Sequence, residues 1–91
     1  MTEDKIYEQD PSKLETIPDG IYIYADEDDG SLLGKSYKSG KLHGACFYEY
    51  NTGELWIEEN YKEGVIHGTT TYYNKDGSVM KTQIWKDGVK Q

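Results

Sequence analysis

An all-β fold, an elongated antiparallel meander of β-hairpins in a single layer, is predicted for this 91-residue chain by three observations. A segment recurs with a period of 24 residues, turn signals alternate at spacings of 13 and 11 residues, and tyrosine, threonine, isoleucine and tryptophan fill the stretches between them. Turns at such spacing flank strands rather than helices, and the filling residues are those that half-buried pleated surfaces prefer.

The repeat is read directly. Ser36-Tyr37-Lys38-Ser39-Gly40-Lys41-Leu42-His43-Gly44 returns as Asn60-Tyr61-Lys62-Glu63-Gly64-Val65-Ile66-His67-Gly68 and, truncated, as Ile84-Trp85-Lys86-Asp87-Gly88-Val89-Lys90. Backwards, Gly20-Ile21-Tyr22-Ile23-Tyr24 aligns with Gly44-Ala45-Cys46-Phe47-Tyr48, but Gly30 arrives one residue late relative to Gly53, so the first repeat carries an insertion among Ala25 to Asp29. Residues 1–19 therefore form an acidic N-terminal cap or arm. Residues 20–91 form the repeat domain, divided into 20–35 (degenerate), 36–59, 60–83 and a half repeat 84–91.

Taken in order, Ser12-Lys13-Leu14-Glu15 has the spacing of a capping box, with Ser12 as N-cap, and Pro18 stops whatever it begins. A single helical turn or irregular coil closes the first strand. The pairs Ser39-Gly40, Glu63-Gly64 and Asp87-Gly88 suit tight hairpins, and Asn51-Thr52-Gly53 and Lys75-Asp76-Gly77 suit three-residue loops ending in a left-handed glycine. Because side chains alternate with period two, an even repeat keeps equivalent residues on one face. A register test follows. If Tyr50 faces Glu54 and Lys62 faces Val65, the pairing sums 104 and 127 differ by 23, not 24, so each repeat needs a longer loop or a bulge. Gly44 and Gly68, glycines inside strands, are the candidates for that bulge or for an aromatic ring packed on backbone.

Ten basic against 17 acidic residues give a net charge of −7. Residues 1–34 hold ten acids and two lysines, a net of −8, and residues 35–91 hold seven acids and eight lysines, a net of +1. This asymmetry argues against a nucleic-acid binder and points to a basic protein partner, which a clustered field steers. Imitation of duplex nucleic acid fits less well, because the C-terminal two-thirds is neutral. No apolar run approaches the roughly 20 residues that span a bilayer, and no apolar leader follows the acidic start. One cysteine, Cys46, fits a reducing compartment. The expectation is a soluble, non-secreted, cytoplasmic protein that binds neither membrane nor nucleic acid.

Chemistry-bearing patterns are few. Asp26-Glu27-Asp28-Asp29-Gly30 fails as an EF-hand loop, since Ala25 and Ser36 stand where oxygen ligands are required. His43 and His67 lie two strand spacings apart, about 9–10 Å, too far to share one zinc. They are expected to pack or hydrogen-bond at the hairpin edge. Cys46 and His43 carry no orienting or oxyanion motif, and Cys46 is expected to be a small buried residue equivalent to Thr70. No catalytic residue, cofactor or metal is expected. Lys38, Lys62 and Lys86 recur beside the tight turns and keep the edges wet.

The pattern Tyr-Lys-x-Gly-x-x-His-Gly-x-x-x-Tyr, followed by a turn glycine and a return to Tyr-Lys-x-Gly, resembles the MORN repeat in the bacterial variant of YwqK-type antitoxin proteins. The resemblance covers 36–91 well and 20–35 loosely. It implies a single-layer sheet with an aromatic-lined face used for binding or assembly and no shared catalytic apparatus. Two departures are the missing basic character and the count of about two and a half repeats. The resulting expectation is a stoichiometric inhibitor of antitoxin, immunity or anti-defence type acting on a basic toxin, nuclease or defence effector. Asp26, Glu27, Asp28 and Asp29 would steer it, and Tyr22, Tyr24, Tyr48 and Trp56 would anchor it. The alternative is a structural tether or self-assembly module, a homo-oligomer pairing through the C-terminal edge strand.

Overall fold

Alternation of inward and outward residues, punctuated by glycine turns, produces strands throughout the computed structural model, which describes residues 5–91. The strands are β1 (Ile6–Tyr7), β2 (Gly20–Ala25), β3 (Leu32–Lys38), β4 (Lys41–Leu42), β5 (Gly44–Glu49), β6 (Leu55–Lys62), β7 (Val65–Ile66), β8 (Gly68–Tyr73), β9 (Val79–Lys86) and β10 (Val89–Lys90). They form one sheet in the order β1-β2-β3-β5-β6-β8-β9-β10, with β4 on β3 and β7 on β6. Every neighbour is antiparallel except β1, which lies parallel to β2 through Ile6–Ile21 and Tyr7–Tyr22. The acidic Glu3 and Asp4 of the expected arm lie outside the described residues.

The 24-residue period holds across the sheet: Tyr22 faces Lys35, Cys46 faces Glu59, and Thr70 faces Gln83. Tyr50 N–H donates to Glu54 O at 2.8 Å and Lys62 faces Val65, as the spacing required. The missing residue is made up in two places. On β6 Tyr48 faces Ile57 while Glu49 faces Leu55, leaving Trp56 as an extra residue; on β9 Met80 is left over in the same way. Beyond the tight turns the ladder then slips by two at His43-Gly44 and His67-Gly68, where Tyr61–Ile66 gives way to Glu58–Thr71. One residue in and two out leave the difference of one. The first hairpin pairs Ala25 with Leu32 without a slip and puts its extra residue in the loop, which accounts for the late Gly30.

Gly44 and Gly68 both have φ of 93°, the left-handed region that lets the strand fold over at the bulge. Side chains opposite repair the ladder. Ser36 Oγ donates to Ala45 O at 2.7 Å, and Asn60 Nδ2 donates to Thr69 O at 2.8 Å. The ring-on-backbone contact occurs elsewhere, with Phe47 lying directly over Gly34. The tight turns are type I′: Ser39, Glu63 and Asp87 themselves are left-handed, with φ of 52°, 50° and 49°.

The described chain extends 35 × 31 × 28 Å. Strand twist accumulates across a sheet and bulges increase it, so the meander coils, and its concave face holds the core. Tyr22, Cys46 and Thr70, equivalent positions of successive repeats, are all fully buried. At the N-terminal end Tyr7 stacks on Tyr22 at 4.8 Å, Tyr22 meets Tyr37 edge-on at 5.6 Å, and Tyr22 Oη donates to Pro18 O at 2.6 Å.

Two sequence expectations are corrected here. The capping turn is a 3₁₀ turn at Pro11–Lys13 with Asp10, not Ser12, as N-cap: Asp10 Oδ1 accepts from Ser12 N at 2.9 Å and Ser12 Oγ at 2.7 Å. Proline at the first position favours the start one residue earlier. Tyr22, expected as an exposed anchor, is the most buried ring in the core, because β1 adds a parallel strand whose Tyr7 covers it.

Candidate functional site

The registers place a continuous row of side chains across the concave face: Tyr24, Leu33, Tyr48, Ile57, Tyr72 and Lys81, one from each of β2, β3, β5, β6, β8 and β9. All but Lys81 are half-buried. Lys35 Nζ stands 5.7 Å from the Tyr24 ring centroid and Lys81 Nζ 4.7 Å from that of Tyr72, contacts within cation–π range. At the centre Tyr61 Oη donates to Glu59 Oε1 at 3.3 Å. Burial, and then the Glu59 carboxylate, push the Tyr61 hydroxyl up to about 12 and the Tyr48 hydroxyl well above the usual phenol range.

That pair sets an alkaline limit. In the unfolded chain a tyrosine ionises near pH ~10, so above that value the unfolded state binds fewer protons than the fold and stability falls with rising pH. Thermal melts should begin a shallow decline near pH ~8.5, where the thiol of an unfolded Cys46 ionises but the buried one does not, and steepen through the pH 10–12 window. Tyr48→Phe is expected to shrink the decline; an unchanged alkaline limb in that variant would count against the assignment.

The acidic loop between β2 and β3 is locally ordered. Asp26 Oδ1 accepts from Asp28 N at 2.8 Å and Asp29 N at 3.4 Å, and Asp29 Oδ1 accepts from Ser31 N at 2.8 Å and Ser31 Oγ at 2.6 Å. The Ser31 hydrogen bonds hold the Asp29 carboxyl below its usual range. Glu27 pairs with Lys13 of the cap at 3.0 Å, but both side chains are largely exposed, so the pair adds little stability. Asp26 and Asp29 thus shape the loop, while Glu27 and Asp28 face solvent as charge.

This loop meets the cap around Tyr24. Asp10, Tyr24, Ala25, Asp26, Glu27, Asp28 and Leu33 line one open cleft. Asp10 and Leu33 were not singled out in the sequence. Asp10 is separated from the loop by β2 in the chain and joins it only because β1 folds back beside β2. Trp56 lies apart in its bulge, 41% exposed, stacked on Tyr50 at 5.6 Å, and Lys75 Nζ stands 5.3 Å from the Tyr50 ring. The expected anchors therefore divide into Tyr24 at the acidic cleft, Tyr48 next along the row, and Trp56 with Tyr50 at the second long loop.

The histidines act in a third place. His43 Nδ1 accepts from Glu63 N at 3.3 Å and His67 Nδ1 from Asp87 N at 3.1 Å. Asp19, the equivalent residue one repeat earlier, accepts from Ser39 N at 2.8 Å through Oδ1. Each repeat thus ties down the tight turn of the next, and the shared requirement is an acceptor rather than an imidazole. His67→Ala is expected to cost about 1 kcal/mol, with most of it restored in His67→Asn, measured by urea denaturation. Equal losses in both variants would contradict the acceptor role.

Among the described residues no group of three His, Cys, Asp or Glu side chains is arranged to hold a metal ion. Cys46 is buried, and burial pushes its thiol up, which disfavours the thiolate a nucleophile needs. No helix among the described residues is long and apolar enough to cross a membrane. Fold and geometry define an all-β hairpin-repeat protein with an acidic, tyrosine-floored cleft at one end. No family model, no curated protein and no solved structure matches the chain.

Proposed function

We propose that the chain is a small non-catalytic module of the cytoplasm that binds a basic protein partner stoichiometrically and blocks it, in the manner of antitoxin, immunity or anti-defence inhibitors. One observation carries this reading: residues remote in sequence, Asp10 on the cap and Asp26, Glu27 and Asp28 on the loop, converge on the half-buried Tyr24 and Leu33. A concentrated charge field speeds encounter with an oppositely charged surface, and an aromatic beside it supplies the kind of contact that dominates binding energy. Tyr24 and Leu33 take the anchoring role expected of Tyr22, and Tyr48 extends the apolar floor along the row. The resemblance to the bacterial MORN variant is in keeping with a binding role. Inhibition would be steric, by occupation of a basic groove or active-site mouth on the partner.

The test is affinity capture from host or phage-infected host cells with wild-type protein and a Glu27→Lys/Asp28→Lys variant, two residues that do not shape the loop. The expected result is one stoichiometric basic partner, released by salt, whose association rate at low salt falls about tenfold or more in the variant. A partner retained equally by the variant, with the same salt dependence, would overturn the reading.

A further inference from the structure

The two ends of the sheet are unlike, and their differences are complementary. At the C-terminal end, β9 carries β10 only along Trp85 and Lys86, so its outer edge from Val79 to Gln83 has no neighbouring strand among the described residues. The equivalent stretches of β3 and β6 use that edge to bind β5 through Leu33-Gly34 and β8 through Ile57-Glu58. Beside the open edge stand Val79, Met80 and Ile84, exposed to 56%, 52% and 50%. Residues 75–91 carry four lysines, Lys75, Lys81, Lys86 and Lys90, against Asp76 and Asp87.

At the N-terminal end the outer edge of β1 is also unpaired among the described residues, Ile6 is 64% exposed, and Glu8 and Asp10 follow it. Strand direction reverses at each step from β2 to β9, and β1 is parallel to β2, so β9 and β1 run in opposite directions. Set side by side in two molecules they make an antiparallel pair. The acidic end of β1 then falls beside Lys75 and Lys81. Both edges are short, so neither leaves a long unpaired remainder.

From this we infer that the β9 edge takes the β1 edge of a second copy, joining molecules head to tail into one continuous sheet. Edge-to-edge pairing of two β9 strands is disfavoured by charge, since it apposes two lysine-rich hairpins. A head-to-tail contact is heterologous and does not close on a dimer. The inference goes beyond the inhibitor reading, because it rests on strand edges rather than on the cleft, with only Asp10 common to both, and needs no partner protein.

Sedimentation velocity on the isolated protein tests it, over roughly micromolar to millimolar concentration. The expected result is a series that grows past dimer with concentration and is weakened by salt, since opposite charges at short range are screened at about 1 M. Ile6→Asn and Ile84→Asn are each expected to weaken association about tenfold, the loss of one apolar contact, with folding checked by thermal melting. Mixed in equal amounts, the two variants should restore a complex that stops at two molecules, because only one intact head and one intact tail remain. A monomer throughout overturns the inference and leaves partner binding at the acidic cleft untouched. So does a dimer that is indifferent to Ile6→Asn, which would assign the contact to paired β9 edges.

Discussion

Gly34→Ala is expected to destabilise the protein by about 2–3 kcal/mol or more. A Cβ built on Gly34 would lie 2.0 Å from Cε1, 2.3 Å from Cζ and 2.5 Å from Cδ1 of Phe47. No rotamer of the alanine relieves such a contact, because a methyl group has none. The ring must leave its place, or β3 and β5, which pair at Gly34 and Phe47, must separate. For a domain of this size each kcal/mol is worth roughly 4–8 °C in melting temperature, so a fall of about 10–20 °C is expected. The source of the loss is checked by a double-mutant cycle. Phe47→Ala alone loses ring burial, but adding Gly34→Ala to it should cost almost nothing further, since the clash has gone. Additive losses would show that Gly34 matters for backbone reasons and not as the seat of the ring.

Tyr22→Ala is the second large effect, expected at about 3–5 kcal/mol. Total stability of single domains is about 5–15 kcal/mol, so the variant stands near unfolding at its N-terminal end. The ring is stacked against Tyr7, edge-on to Tyr37 and tied to Pro18 O, so one truncation removes the contact that joins β1 and the capping turn to the repeats. Hydrogen exchange gives the local readout. The Ile21 amide, which donates to Lys5 O at 2.8 Å, should lose protection in Tyr22→Ala while amides between β8 and β9 change less. Tyr22→Phe, which keeps the ring and loses only the hydroxyl bond, should cost about 1 kcal/mol. If Tyr22→Phe cost as much as Tyr22→Ala, the hydroxyl bond would be the main element and the stacked rings secondary.

What the sequence made legible was what is local or periodic. The strands follow from alternation and the turns from their glycines, while a one-residue mismatch between hairpin axes called for a longer loop or a bulge and marked Gly44 and Gly68 as candidates, where the ladder slips by two. For His43 and His67 the distance between equivalent strands excluded a shared zinc and left packing or hydrogen-bonding at the hairpin edge, of which the structure shows the hydrogen bonds. The slips at Trp56 and Met80 escaped, since a bulge that adds a residue to a strand leaves no glycine to mark it. The strand β1 escaped for another reason: two residues paired in parallel across an intervening segment have neither periodicity nor a turn signal. The Tyr7 ring that stacks on Tyr22 comes with β1, so the burial of Tyr22 is not legible from the repeat alone, and Asp10 reaches the acidic loop only by the same return. The split between carboxylates that bond within the loop and those that do not was equally hidden. Asp26 and Asp29 look the same as Glu27 and Asp28 in a run of acids, and only the amides and hydroxyl they accept from set them apart.

The central claim, that the acidic cleft around Tyr24 is where a partner binds, is tested most directly by salt-dependent capture with point variants confined to that cleft. Wild-type protein should retain a single stoichiometric basic partner at low salt and release it at high salt. Glu27→Lys/Asp28→Lys should slow its association, and Tyr24→Ala should hasten its release, with a weakening on the order of 2 kcal/mol. A partner bound with unchanged rates by both variants would contradict the claim and move the binding surface away from this end of the sheet.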